Sequence, residues 1–538
     1  MIPCAQSVEV ERADISQVRC IRGEDVRSSH PRFLSDESKM EGSSDLVFLP
    51  EGEAEVVAVI DHVCSTGRTV RVSGNRTGLV GGAVPDGDTV LSFERMKRLI
   101  GIGCDGERFF ARVQSGISLE EMDSILLRGD VASLGDITPG ATARMLSAGK
   151  RYHYPIDPTE RSGSIGGNVA ANASGARTFK YGPTRDWVRR LRVVLANGEV
   201  IDLVRGEHPI EEGGFVINTS NGRIEGAVPT YRHFERAVKN AAGIFASPEM
   251  DLLDLFIGSE GILGVMTEID LFLVERTAQM ANIMFFPTNE DAFRFVRALR
   301  GSDVSPEFIE YIDGNGLDLL RGIQEREPSV IDMPPIPRAG ACIFFDLHYD
   351  HMLERRFATI GRLAEDCHSS LDESWSAHEE REIARFKRFR HAVPQAVYDY
   401  ISERKRDHPH IHKLGTDMSV PDEHLEEMMA FYIGELEASG IEYVIFGHIG
   451  NNHPHVELLL HDMEEFARGK ALYETFARKA VSLGGSSSAE HGIGRLKRPL
   501  LELMYDESDV EQMRAVKRAL DPRSLLNPGN MFTMGVRE

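Results

Sequence analysis

The sequence predicts an α+β protein of two domains, and three observations carry that reading. A strand, a helix and a second strand succeed one another near the start, in SDLVFLP, EAEVVAVIDHVCSTG and RTVRVSG. Three glycine-dense blocks then fall within one domain-sized region. Around residue 272 the glycine blocks stop, and helical segments begin to alternate with short strands. At 538 residues the chain is too long for a single compact core. The expected division is an extension over 1–44, a first domain over 45–272, a second over 273–510 and a tail over 511–538.

Charge narrows the function classes. The 61 Lys+Arg against 84 Asp+Glu leave a formal charge of −23, which repels phosphate backbones and anionic lipid alike, so no nucleic-acid partner is expected. A small anion can still be drawn into a cleft by local arginine or lysine. The six cysteines include no C-x-x-C pair, which argues against an iron–sulfur or thiolate zinc site and fits reduced thiols in a cytoplasmic setting. No transmembrane segment is expected, because no apolar run approaches the ~18–20 residues of a span.

The first glycine block, GNRTGLVGG at 74–82, follows a strand and offers backbone N–H groups unshielded by side chains, with Arg76 and Thr77 adding a cation and a hydroxyl. Such a run suits a phosphate, although a surface loop has the same composition. The second, GSIGGNVAANASG at 163–175, combines glycines with Asn168 and Asn172, as a surface under a flat polar heterocycle requires. A tightly packed helix start would read alike. The third is GSEGILG at 258–264. A fourth string, GIGCDG at 101–106, matches the dinucleotide fingerprint G-x-G-x-x-G but precedes the strand-like ERFFARVQSG instead of a helix. It is read as a turn between strands, and no Rossmann site is inferred.

In the second half, FGHIGNNHPHVEL sets His448, His453 and His455 on and beside one apolar strand, with Glu457 on the same face as His455. Imidazoles and carboxylates are ligands for zinc, manganese or iron(II), and Glu490 could supply one from elsewhere in the chain. Histidines satisfied within a polar core remain the alternative. In SSSAEHGIGR, Glu490 and His491 can both turn inward if Gly492 and Gly494 permit it, the first toward a metal and the second as a base. The run ARFKRFRHAVPQAV is mostly a solvated face, but Arg390 opens its apolar pattern and could hold a carboxylate.

With these motifs in this order, the chain resembles the FAD-linked oxidases of the vanillyl-alcohol oxidase and p-cresol methylhydroxylase type. The likeness runs from about residue 45 to the end through VSGNRTGLVGGAVP, GSIGGNVAANASGARTFKYG, LFIGSEGILGVMTE, FGHIGNNHPHVEL, SAEHGIGRLK and LDPRSLLNPGNMF. Within that family it is similar to D-lactate dehydrogenases, D-2-hydroxyglutarate dehydrogenases and the FAD subunit of glycolate oxidase. The resemblance implies a two-subdomain FAD-binding domain completed by the tail, and a substrate cap with an antiparallel sheet flanked by helices. It implies FAD contacts from Gly74, Asn75, Arg76, Thr77, Gly78, Gly81 and Gly82 in the first block. The second block would contribute Gly163, Ser164, Gly166, Gly167, Asn168, Ser174 and Gly175, and the third Glu260 and Gly261. Asp157, Tyr181, Gly182 and Asn527 complete that set. It further implies His448, His455 and Glu490 as metal ligands, His491 as catalytic base and Arg390 as the carboxylate anchor.

Departures from the family pattern sharpen the expectation. Asn75 and Arg76 stand where glycines are common, and Ile262 where threonine is. His453 is additional, and Glu457 replaces a frequent asparagine, where it would ligate metal or narrow the substrate range. Pro394 and Gly415 replace a threonine and a lysine of the 2-hydroxyglutarate enzymes, which disfavours a dicarboxylate. No histidine or cysteine stands where relatives attach flavin, so FAD is expected to be non-covalent. The resulting expectation is an FAD-dependent dehydrogenase of a small D-2-hydroxy acid, lactate or glycolate-like, with a protein or quinone as electron acceptor. Two alternatives stand beside it: an alkylglycerone-phosphate synthase, and an electron-relay subunit inactive outside a complex.

Overall fold

The computed structural model describes residues 4–210, 213–231 and 238–535. Helix Glu53–Thr66 forms where Val56, Val57, Val59, Ile60 and Val63 make one buried stripe, and Gly67, at φ 70°, ends it. That stripe shares a core with a four-stranded sheet in the order Cys20–Arg22, Leu46–Phe48, Thr89–Ser92, Val70–Ser73. The last three of these strands run parallel, as a strand–helix–strand opening requires.

Nine described strands make a second sheet, in the order Gly222–Ala227, Gly214–Thr219, Cys4–Val8, Val200–Val204, Val188–Val194, Val265–Phe272, Arg108–Gln114, Leu99–Asp105, Gly135–Asp136. The turn expected at GIGCDG needs correction. Gly101 and Gly103 lie inside strand Leu99–Asp105, and only Gly106, at φ 59°, turns the chain. Close approach explains the two inner glycines: a Cβ on Gly103 would stand 2.0 Å from the Phe110 ring, and one on Gly101 2.3 Å from the Gly135 carbonyl.

The second half is built on six described strands, all antiparallel to their neighbours: Trp375–Ala377, Gln279–Phe286, Ala341–His348, Ile309–Asp313, Tyr443–His448, His453–Leu458. Helices Asn289–Arg300, Gly314–Arg326, Glu380–Arg404 and Leu425–Ser439 bury apolar faces in the same core. Helix Glu380–Arg404 carries Pro394 in its interior, where proline has no N–H for the Arg390 carbonyl. The C-terminal helix Glu507–Leu520 buries Val510, Met513, Val516 and Leu520 in the first-half core. Beyond it the tail hydrogen-bonds to strand Val70–Ser73, through Val70 N–H to Leu525 O and Asn527 N–H to Val70 O.

Candidate functional site

A cleft of about 340 Å³ is lined by all three glycine blocks, the tail and the Glu490–His491 turn. None of the backbone N–H groups of residues 74–82 meets an acceptor among the described residues, so the first block presents a run of free donors. A Cβ on Gly78 would touch nothing within 4 Å, which leaves room there for a ligand. Asn75 Nδ2 donates to Ser162 O at 2.5 Å, strapping the first block to the second. In the second block Ser164 caps helix Ile165–Ala170 by accepting from Gly167 N–H at 3.2 Å. Asn527 Oδ1 accepts from Val72 N–H at 2.7 Å while its Nδ2 donates to Glu260 O at 2.7 Å, joining the tail to strand Val70–Ser73 and to the third block. Free N–H groups beside a floor of glycines and asparagine fit an extended dinucleotide.

Beside the cleft, His448, His453, His455 and Glu490 each bring one ligand atom to within 4.8 Å of the others. Pairing of strand Tyr443–His448 with His453–Leu458 sets His448 directly opposite His453, and alternation puts His455 on the same face. Each imidazole is fixed through its other nitrogen. His448 Nδ1 lies 2.5 Å from Glu310 Oε1, His453 Nε2 3.1 Å from Asp417 Oδ1, and His455 Nδ1 2.8 Å from Thr416 O. Outer partners of this kind orient metal-binding histidines. His448 Nε2 then stands 3.4 Å from Glu490 Oε2, and His453 Nδ1 4.0 Å from Glu490 Oε1. That His453 Nδ1 is buried without a hydrogen-bond partner, so the donor set is one a divalent cation would complete.

Electrostatics here are set by burial and a few charges. Burial opposes a charge on His448, yet Glu310 and Glu490 outweigh it and raise the imidazole to about 9. Burial takes His453 down to about 3, with His455 adding to the effect. Glu490 is held well below the usual carboxylate range because Lys239 and His448 overcome its burial. Lys239 Nζ pairs with Glu490 Oε1 and donates to Gly175 O at 3.1 Å.

Two carboxylates brace the turn that carries Glu490 and His491. Asp417 accepts from the N–H groups of both residues at 3.0 Å. Glu260, itself at φ 51°, accepts from Ile493 N–H and Gly494 N–H at 2.7 Å, and burial raises its carboxyl to about 7. Gly492 and Gly494 adopt φ 74° and 51°, the left-handed conformations the turn needs. His491 lines the cleft, and its ring lies almost parallel to that of His455 at 5.9 Å. Burial lowers His491 to about 4 despite the pull of Asp417, so its imidazole is neutral near pH 7.

Comparison with known proteins agrees with this architecture. The family description "FAD linked oxidases, C-terminal domain" matches residues 276–531, and "FAD binding domain" matches 44–149 and 136–204. The chain belongs to the FAD-linked oxidase family. It is 28% identical over 502 residues to the glycolate oxidase subunit GlcD of Bacillus subtilis (strain 168), covering 92% of this chain and 90% of that one. It is 28% identical to a D-lactate dehydrogenase of Anaerostipes hadrus, over 96% of this chain and 95% of the other. A D-2-hydroxyglutarate dehydrogenase of Stutzerimonas stutzeri (strain A1501) is 25% identical, with 91% of each chain covered. Among solved structures, an alkyldihydroxyacetonephosphate synthase superposes with a TM-score of 0.59 at 16% identity, over 97% of this chain and 89% of that one, and so shares the fold.

In this FAD-linked oxidase the cleft gathers most of the flavin residues expected from the sequence, but not all. Gly81, Asp157, Gly175, Tyr181 and Gly182 do not line it. Asp157 instead accepts from Arg177 N–H at 3.0 Å, and a Cβ on Gly175 would stand 2.3 Å from the Asp157 carbonyl. Tyr181 turns its hydroxyl to Glu307 at 3.0 Å, and Gly182 lies against Asp186. Ser174 lines the cleft while donating to Glu490 Oε1 at 3.0 Å. Glu457, expected as a ligand or a substrate filter, pairs with Lys413 at 2.7 Å and closes over Gly415. The fourth member of the cluster is His453. Arg390 is half-buried, stacks 4.9 Å over Phe308, and has no carboxylate partner among the described residues. Its charge acts on Glu310, which holds His448. Lys239, Glu310 and Asp417 carry no motif signal of their own, and Lys497, the last residue of SAEHGIGRLK, stands between Arg495 and Arg498 with nothing in the sequence to separate its role from theirs.

Proposed function

We propose that this FAD-linked oxidase oxidises a small D-2-hydroxy acid, of the D-lactate or glycolate kind, to the 2-oxo acid and delivers electrons to a protein or quinone acceptor. The convergence of three imidazoles and Glu490 beside His491, at the edge of the glycine-lined cleft, carries the reading. FAD, when bound across the three glycine blocks, supplies the two-electron acceptor. A divalent metal such as zinc, manganese or iron, held by His448, His453, His455 and Glu490, supplies a Lewis acid for the hydroxyl oxygen. Arg390, whose guanidinium meets His391 Nε2 at 3.1 Å but no carboxylate among the described residues, holds the substrate carboxylate in a bidentate match. His491 accepts the hydroxyl proton, as a neutral imidazole can. Non-covalent flavin is supported by the cleft lining, which among the described residues includes no cysteine and His491 as its histidine. Anaerobic addition of D-lactate, glycolate and D-2-hydroxyglutarate to the flavin-loaded protein is expected to bleach the flavin bands with at least one of them. Failure of all three overturns the reading.

A further inference from the structure

Asp417 is fully buried, with no exposed surface, and sits on a segment between the histidine strand and the Glu490 turn. Thr416 N–H donates to Val456 O at 3.0 Å on one side, and Ala489 N–H to Asp417 O at 2.8 Å on the other. Its Oδ1 accepts from Glu490 N–H at 3.0 Å and lies 3.1 Å from His453 Nε2. Its Oδ2 accepts from His491 N–H at 3.0 Å, Ser488 Oγ at 2.8 Å and Lys497 Nζ at 2.6 Å, and lies 3.4 Å from His491 Nδ1. Lys497 provides the counter-charge that a buried carboxylate needs.

An ionised carboxylate only accepts hydrogen bonds. The proton of neutral His453 is therefore drawn to Nε2, which leaves a lone pair on Nδ1, the buried atom without a partner that faces Glu490. At 3.4 Å and without a hydrogen bond, the negative charge of the same carboxylate favours the proton of His491 on Nδ1, which leaves Nε2 able to accept one. We propose that Asp417 is the positioning residue that fixes both tautomers, so that one carboxylate readies His453 for a cation and His491 for a substrate proton. A carboxylate serving only to tie the turn would leave the tautomers free.

The role assigned to His491 rests on the dehydrogenase reading, whereas tautomers and metal affinity are read without turnover. In the Asp417→Asn variant the amide NH₂ must face one of these donors. Its flavin content is expected to stay near wild type, its melting temperature to fall because Lys497 loses its buried counter-charge, and its Co²⁺ affinity, read by chelator competition, to fall on the order of tenfold or more. Its kcat with the reducing hydroxy acid is expected to fall at least about a hundredfold, with KM little changed. Asp417→Glu is expected to recover part of both losses. Wild-type Co²⁺ affinity in Asp417→Asn, or a KM that rises as far as kcat falls, overturns the proposal. If the variant does not fold, ¹⁵N-histidine NMR of the metal-free wild-type protein decides: Nε2–H on His453 and Nδ1–H on His491 support it, and the opposite tautomer on either refutes it. Wild-type protein whose flavin no hydroxy acid reduces would overturn the dehydrogenase reading, leaving the NMR and cobalt results to judge Asp417.

Discussion

Glu490 Oε1 accepts from Ser174 Oγ and is paired with the buried Lys239, while its Oε2 lies 3.4 Å from His448 Nε2. A carboxylate that already shares its charge with an ammonium attracts a dication less strongly, since a pair about 4 Å apart at intermediate dielectric is worth about 4 kcal/mol. Replacing Lys239 by Met is therefore expected to raise Zn²⁺ affinity by at least about tenfold, a conservative share of that attraction. Chelator competition reads this directly, and an unchanged affinity would mean that the ammonium moves aside at no cost. The neighbouring residues separate by task. Glu490→Gln is expected to lose metal and activity together, while His491→Ala loses activity and keeps its metal, as elemental analysis of the purified variants would show. Glu490 and His491 could be found from sequence because they stand together between serines and glycines. Asp417 and Lys239 could not, because a single charged residue acquires its role only when tertiary folding brings it to a partner 73 or 251 positions away.

The first glycine block shows how an element divides between folding and binding. A Cβ on Gly74 would stand 2.1 Å from Ser164 Oγ, the atom that caps helix Ile165–Ala170. Gly74→Ala is thus expected to cost about 1 kcal/mol through the lost cap, even without flavin. Gly78 has no neighbour within 4 Å of such an atom. Gly78→Val is expected to leave the melting temperature of the flavin-free protein unchanged and to weaken FAD retention, and an equal loss of both would assign that glycine to the fold. Periodicity and the residues that bound each segment made strand Leu46–Phe48, helix Glu53–Thr66 and strand Val70–Ser73 legible. GIGCDG misled as a turn because glycine marks close backbone approach in a strand as well as reversal. The ring of Phe110 against Gly103 and the Gly135 carbonyl against Gly101, both from paired strands, tell the two apart.

At the scale of the whole molecule, the distance between Arg390 and the cleft depends on how the second half seats on the first. Glu307, 1% exposed, sits at that seam. Lys180 Nζ donates to it at 2.5 Å and Tyr181 OH at 3.0 Å, both from the first half, and His348 Nε2 approaches at 2.7 Å from the second. Lys180 and Arg177 hold the Glu307 carboxyl below its usual range in spite of burial. Phe308, the next residue, is the ring on which the Arg390 guanidinium rests. Removing the carboxylate leaves Lys180, about a quarter exposed, without its counter-charge, a change that costs about 1–3 kcal/mol for a partly buried pair. Glu307→Ala is accordingly expected to lower stability to urea by that order and to raise KM for the hydroxy acid as Arg390 loses its register, with flavin content unchanged. Urea titration and steady-state kinetics on one preparation check both. Wild-type stability and KM in that variant would show instead that apolar packing, such as Phe179 against Gly450, is enough to seat the two halves.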